Sequence, residues 1–458
     1  MNYTEFLQRK ATFSGDSGFD VQWMPDLAKP FQQSLIEWSC RKGRSEIAAD
    51  CGLGKTMMQL TYAQNVVMKT NERVLVATPL AVGPQTLREA EKFGIEAGRS
   101  RDGKLPKEKI VVTNYEQLEK FNPADFVGFV GDEASILKNF DGKTKAAVTE
   151  FVRLLPYRLL CTATPAPNDY IELGTSSEAL GELGYMDMIT RFFKKEEVKY
   201  ECGLGRKDEY RLRHHAQTAF WKWVCSWMRA CRLPSDLGFS DDGYVLPELI
   251  QREHEVKASL PMAGRLFDIP AQNLEEQREE QKRTVPERCE KAAELSMKHG
   301  KASVLWCYRN DEGDLLEKLL TDCVQVSGKD SDEEKEEKMT AFTTGQVKRI
   351  VIKPKIGAWG LNWQHCHHET FFPSHSYEQI YQGIARCRRF GQKENVIVDM
   401  VTTDGGAKVL ANYKKKAAAA ELMFVELVRN MNESNRITSS KYGTNTQELP
   451  GWLSSSKS

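Results

Sequence analysis

The chain has 458 residues, 40% of them hydrophobic and 28% charged, and its 64 basic and 64 acidic side chains cancel. That length provides for two or three domains with cores of their own, which excludes a peptide scaffold, and the composition excludes a disordered or fibrous chain. The balanced charge gives no overall pull toward nucleic acid, so any basic groove must come from local clustering.

The N-terminal "MNYTEFLQRKATFSGD" lacks the basic segment and apolar core of a secretory signal, and no run approaches membrane-spanning length. A cytoplasmic protein without a membrane partner is expected. Eleven cysteines, none in a C-x-x-C pair, fit reduced thiols better than a disulfide framework or a zinc cage.

From the N-terminal side, "SEIAAD", "RVLVATP", "KIVVTNY", "FVGFVGD" and "YRLLCTAT" read as strands, with helices at 55–68 and 143–154 between them. Alternation of this kind predicts a parallel sheet covered by helices, assigned to a first lobe at 1–175. The first junction is distinctive. In "EIAADCGLGKTMMQL" an apolar run passes through Gly52 and Gly54 into a helical pattern opened by Lys55 and Thr56. A strand, a glycine loop and a helix N-terminus together turn backbone N–H groups around an anion, and residues 49–56 fit the phosphate-loop pattern with alanine first. Lys55 then offers charge to the β and γ phosphates, and the Thr56 hydroxyl suits a magnesium ion. Farther on, "FVGFVGDEAS" ends a strand in two acids, Asp132 and Glu133. The carboxyl ends of parallel strands share one crevice, so Asp132 is a candidate to hold hydrated Mg2+ and Glu133 to position and deprotonate water.

Residues 176–300 read as a helical insertion and linker. Phe220, Trp223 and Trp227 form one helical stripe, expected to face the core, and "NLEEQREEQKR" reads as a solvated helix or linker. A second α/β lobe is expected at 301–435, with strands in "ASVLWCY", "CVQVSG", "RIVIKP", "HETFF" and "NVIVDMV" and helices near 311–321, 331–343 and 376–388. Within it, "HCHH" at 365–368 is read as structural or surface histidines, because consecutive strand residues point to opposite faces. On the predicted helix Arg386 and Arg389 lie three apart and so share a face. The polar, Ser/Thr-rich end, 436–458, is expected to be a flexible tail.

In order along residues 25 to 430, the chain resembles the superfamily 2 helicases, and within them the SWI/SNF-like double-stranded DNA translocases in a compact, phage-type form. "CGLGKT" is similar to that branch's "MGLGKT", and "VATPLAV" and "VVTNYE" resemble its next two motifs. "DEASILKN" stands where "DEAH" is usual, "TATP" matches the coupling motif, and "GAWGLNWQ" resembles "GGLGINLQ". "QGIARCRRFGQ" matches "QxxxRxxRxGQ" at Gln382, Arg386, Arg389, Gly391 and Gln392. The resemblance implies two RecA-like lobes, ATP and Mg2+ as cofactors, and hydrolysis between the lobes. It implies an adenine-reading glutamine at Gln32, with Gln33 a rival, and arginine fingers at Arg386 and Arg389 beside Gln382. Nucleic-acid backbone contacts are implied at Thr78, Asn114, Gly360 and Asn362, so the expected partner is duplex DNA read without sequence preference. A phage-encoded member works in the host cytoplasm. An RNA-directed helicase and an ATP-binding scaffold without turnover are the alternatives. The chain departs from the family at Ser135, where a histidine is usual, and at Lys353 and Pro354, where small hydroxyl residues are usual.

Overall fold

The computed structural model describes residues 16–79, 82–138, 142–199, 206–259, 274–357, 362–374 and 376–439. The first sheet contains β1 (Arg44–Ala49), β2 (Val74–Thr78), β3 (Ala97–Arg99), β4 (Ile110–Asn114), β5 (Gly128–Asp132) and β6 (Tyr157–Thr162). Next come an antiparallel pair, β7 (Phe193–Lys199) and β8 (Arg206–Leu212), and then β9 (Met228–Cys231). The second sheet contains β10 (Leu249–Val256), β11 (Ser303–Trp306), β12 (Cys323–Val326), β13 (Arg349–Ile352), β14 (His368–Phe371) and β15 (Val396–Thr403).

Both large sheets are parallel throughout, in the orders β3-β4-β2-β5-β6-β1-β9 and β10-β15-β14-β11-β13-β12. Central strands such as β2, VLVAT, and β13, RIVI, are almost wholly apolar and buried along their length because helices cover both faces. In β1, Ile47 and Ala49 join one core while Ala48 joins the core on the opposite face. The expected architecture of two lobes, each a parallel sheet covered by helices, is the observed one.

The segment 176–300 departs from the expectation of a helical insertion. It gives each sheet an edge strand: β9 pairs with β1, and β10 pairs with β15 over its full length. A four-residue run such as Met228–Cys231 carries too little periodicity to be told from helix. In the fold it covers the backbone edge of β1 beside the glycine loop, which would otherwise present unpaired N–H and C=O groups. The aromatic stripe does face the core: Phe220 and Trp227 are fully buried, and Trp223 stacks on Phe192 at 5.4 Å. The polar run forms the helix Leu274–Arg283, where buried Glu280 accepts a 2.6 Å hydrogen bond from Thr403 Oγ1. His368 is likewise internal, bonded to Ser303 Oγ at 2.9 Å and to Asp399 at 2.9 Å.

The helix Ala407–Ser439 leaves the end of β15 and returns to the first lobe. Met423, Phe424, Leu427 and Met431 enter the core built around Phe220, Trp221 and Trp227. Arg232 meets Glu421 at 2.6 Å and lies over the Phe424 ring at 4.4 Å. This helix reaches Ser439, past the start of the expected tail at 436, and residues 440–458 of that tail lie outside the described residues. Among the described residues no helix is long and apolar enough to cross a membrane.

Candidate functional site

The glycine loop leaves β1 at Asp50 and enters the helix Lys55–Thr70. Gly52 and Gly54 have φ of +89° and +80°, which a side chain would strain. A Cβ on Gly54 would also lie 2.5 Å from Gln32 Nε2. Gln32 is bound into the loop: its Oε1 accepts from Lys29 N at 2.8 Å and its Nε2 donates to Leu53 O at 2.8 Å. Gln33 donates to Ala28 O. The side chain expected to read adenine therefore holds the loop in place here. Lys55 Nζ donates to the carbonyls of Ala49 at 3.0 Å and Asp50 at 3.3 Å. Burial alone would lower its pKa, but its acidic neighbours, Cys51, Glu133, Asp132 and Asp50, outweigh burial and raise it. The ammonium thus sits among acceptors, and Thr56 is half-buried in the first turn beyond it.

Asp132 ends β5, and β6 separates β5 from β1, so the acids face the loop across one strand. Gln59 Nε2 donates to Asp132 Oδ1 at 2.6 Å, and Tyr115 donates to its backbone carbonyl at 2.6 Å. Glu133 has φ +51°, a left-handed conformation that costs a non-glycine residue roughly 1–2 kcal/mol. Desolvation pushes its carboxyl up to about 7; Lys55 and Arg386 pull it down, and Asp132 pushes it up. Asp132 is raised as well, chiefly by burial, against the pull of Gln59 and Lys55.

The second lobe presents the helix Tyr377–Cys387 to these acids. Gln382 Nε2 donates to Glu133 Oε2 at 3.4 Å. Arg386 is buried, donates from Nε to Gln382 O at 2.9 Å, and acts electrostatically on Glu133, Asp132 and Cys51. Arg389 does not share a helical face with Arg386, because the helix ends at Cys387. Gln392 stops the helix: its Nε2 donates to the carbonyls of Gln364, Cys366 and Cys387, and Gly391 turns the chain at φ +92°. That turn carries Arg389 and Phe390 against the loop, where a Cβ on Gly52 would lie 3.8 Å from Arg389 Cβ. The lost periodicity and the preserved convergence have one cause.

Two further contacts between the lobes escaped the sequence reading. Tyr381 donates its hydroxyl to Asp50 Oδ1, and Lys138 pairs with Glu378. Helical spacing could have drawn attention to both residues, since Glu378, Gln382 and Arg386 follow one another at intervals of four along one face and Tyr381 lies three residues after Glu378. A cavity of about 350 Å³ lies beside the loop, lined by Gly52, Leu53, Tyr244, Arg388 and Phe390 among others.

Two of the expected nucleic-acid contacts are buried. Thr78 is fully buried and its hydroxyl donates to the carbonyls of Pro79 and Thr113. Asn114 is buried with its Nδ2 bonded to Glu116 at 2.8 Å. Both stand at carboxyl ends of strands, where buried polar side chains find partners within the fold. Asn362 is exposed, and Gly360 lies outside the described residues.

Among solved structures, the chain is similar to the Sulfolobus solfataricus SWI2/SNF2 ATPase core in complex with dsDNA, at 18% identity and a TM-score of 0.40, over 90% of this chain and 98% of that one. No protein-family model and no curated protein matches the chain.

Proposed function

We propose that this chain is an ATP-driven motor that acts on duplex DNA and hydrolyses ATP between its two lobes. The observation that carries the reading is the convergence of Gln382 and Arg386, from one lobe, on Glu133 of the other. A buried carboxyl held near neutrality beside a phosphate-type loop, and facing a cation from a second domain, is the arrangement that phosphoryl transfer to water requires. Ser135 Oγ, Thr164 Oγ1 and Gln382 Oε1 are buried without hydrogen-bond partners, and Thr164 lines the cavity beside the loop, which suits a polar guest.

In this reading the loop N–H groups and Lys55 bind the phosphates, and Glu133 takes the proton of the attacking water. Arg386 and Arg389 neutralise the charge that spreads over the transferred phosphoryl group. Thr56 and Asp132 supply one hydroxyl and one carboxylate, hard oxygen donors of the kind Mg2+ prefers, and Gln59 fixes the carboxylate. The ion would offset phosphate charge. Closure on ATP and release after hydrolysis would move one lobe relative to the other along a DNA backbone. The resemblance of the motifs to the SWI/SNF-like translocases favours duplex DNA, and binding to phosphates makes sequence-independent, salt-sensitive stimulation the expected behaviour.

The test is phosphate release measured with single-stranded DNA, duplex DNA, forked DNA and RNA over a salt series. Duplex DNA should stimulate most, with little sequence preference, and salt should suppress the effect. Stimulation by RNA alone would redirect the reading to an RNA helicase. Absence of turnover with every nucleic acid would overturn it.

A further inference from the structure

Asp50 is the residue at which the first lobe's loop, the first lobe's edge and the second lobe all meet. Its amide donates to Cys231 O of β9 at 2.9 Å. Its carbonyl accepts from Lys55 Nζ at 3.3 Å and from Leu53 N at 3.4 Å. Its Oδ1 accepts the first N–H of the loop, from Cys51 at 2.6 Å, and the same oxygen accepts the hydroxyl of Tyr381. Tyr381 belongs to the helix that also presents Gln382 and Arg386 to Glu133. Burial raises the phenol well above its ordinary range and Asp50 adds to the rise, so the hydroxyl stays protonated and donates.

A loop N–H bonded to Asp50 Oδ1 is turned toward that carboxylate, and a phosphate would compete for the same N–H group. A displacement of the second lobe pulls or releases the carboxylate through Tyr381, and the Lys55 ammonium rests on the carbonyl of that same residue. We propose that Tyr381 and Asp50 form a positioning pair that couples closure of the second lobe to the conformation of the phosphate loop. Neither residue touches the reacting atoms. The inference rests on the ATPase reading above and adds a route by which lobe position reaches the loop.

Tyr381→Phe removes only the hydroxyl. Affinity for a fluorescent ATP analogue should stay within about twofold, because the loop donors and Lys55 remain, while DNA-stimulated kcat falls about tenfold, the worth of one hydrogen bond to a charged group. Asp50→Asn keeps an acceptor oxygen and should retain most of the turnover, whereas Asp50→Ala should lose at least as much as Tyr381→Phe. In the Asp50→Ala background, Tyr381→Phe should add less than about a twofold loss, since the partner is already gone. Thermal unfolding of each variant separates this from a packing role, which would lower Tm and affinity together. Wild-type turnover in Tyr381→Phe, or a full independent loss in the double variant, overturns the coupling while leaving the ATPase reading standing. A wild-type protein without turnover removes both.

Discussion

Gln382 Nε2 lies 3.4 Å from Glu133 Oε2, a hydrogen bond from one lobe to the other that ends on the residue assigned to activate water. Glu133→Gln keeps the size of the side chain and an acceptor for Gln382 but removes the base. Nucleotide should bind with near wild-type affinity while turnover falls about a hundredfold or more. Equilibrium binding and single-turnover hydrolysis on the same preparation check this. Lost affinity with persistent turnover would make Glu133 a structural residue.

The elevated carboxyl of Glu133 also sets a pH dependence. A base must be deprotonated to work, and burial places this one at about 7. The kcat/KM profile, which reports the free enzyme, should rise about tenfold per pH unit below that value and level off above it. Glu133→Gln should abolish this acid limb in whatever activity remains. A limb in the ordinary glutamate range would show that the site does not raise Glu133.

Much of this arrangement is legible in the sequence, for identifiable reasons. The strand ending at Asp132 is a short apolar run closed by an acid, and the strand ending at Ala49 runs through Ile47, Ala48 and Ala49 into Asp50 and the glycine loop, so both announce the chemistry at their tips. Gln382 and Arg386 are readable because one helix keeps their spacing. Arg389 is placed on the wrong local structure, because the stop is made by Gln392 reaching carbonyls at positions 364 and 366, a nonlocal contact that no periodicity encodes. The edge strands β9 and β10 are too short or too charged to declare themselves, and their pairing with β1 and β15 is set by the sheets they complete. The bond of Gln32 to the loop is hidden for a similar reason: its motif position is visible, whereas its bond to Leu53 depends on how closely Gly54 approaches.

A second buried carboxyl affects stability. Glu369 lies in the core of the second lobe, where desolvation pushes it up to about 8 against a 2.7 Å hydrogen bond from Trp306 Nε1. The unfolded chain loses this proton in the ordinary glutamate range, while the folded chain keeps it until about pH 8. Across that window the folded state binds the extra proton, so stability falls as pH rises and the contribution levels off above the folded pKa. Glu46, also raised to about 8 by burial, adds a slope of the same sign. Tm should therefore decline between about pH 5 and pH 8, and Glu369→Gln should make the decline shallower. An unchanged slope in the variant would show that Glu369 ionises normally in the fold.

The two arginines of the second lobe should separate by their neighbours. Arg386 acts on Glu133 and Asp132, whereas Arg389 lies against Gly52. Replacing either with alanine leaves Lys55 and the loop in place, so ATP should still bind, and loss of a transition-state finger should lower turnover about a thousandfold. Lysine should restore little, because it lacks the planar fork. The pH profiles should differ. Arg386 is a cation that holds the Glu133 carboxyl down, so Arg386→Ala should move the acid limb of the residual activity to higher pH, and Arg389→Ala should leave it near the wild-type position. Nucleotide affinity, DNA-stimulated turnover and the kcat/KM profile of both variants give the answer. If neither variant loses turnover, hydrolysis does not depend on the second lobe, and the motor reading falls with it.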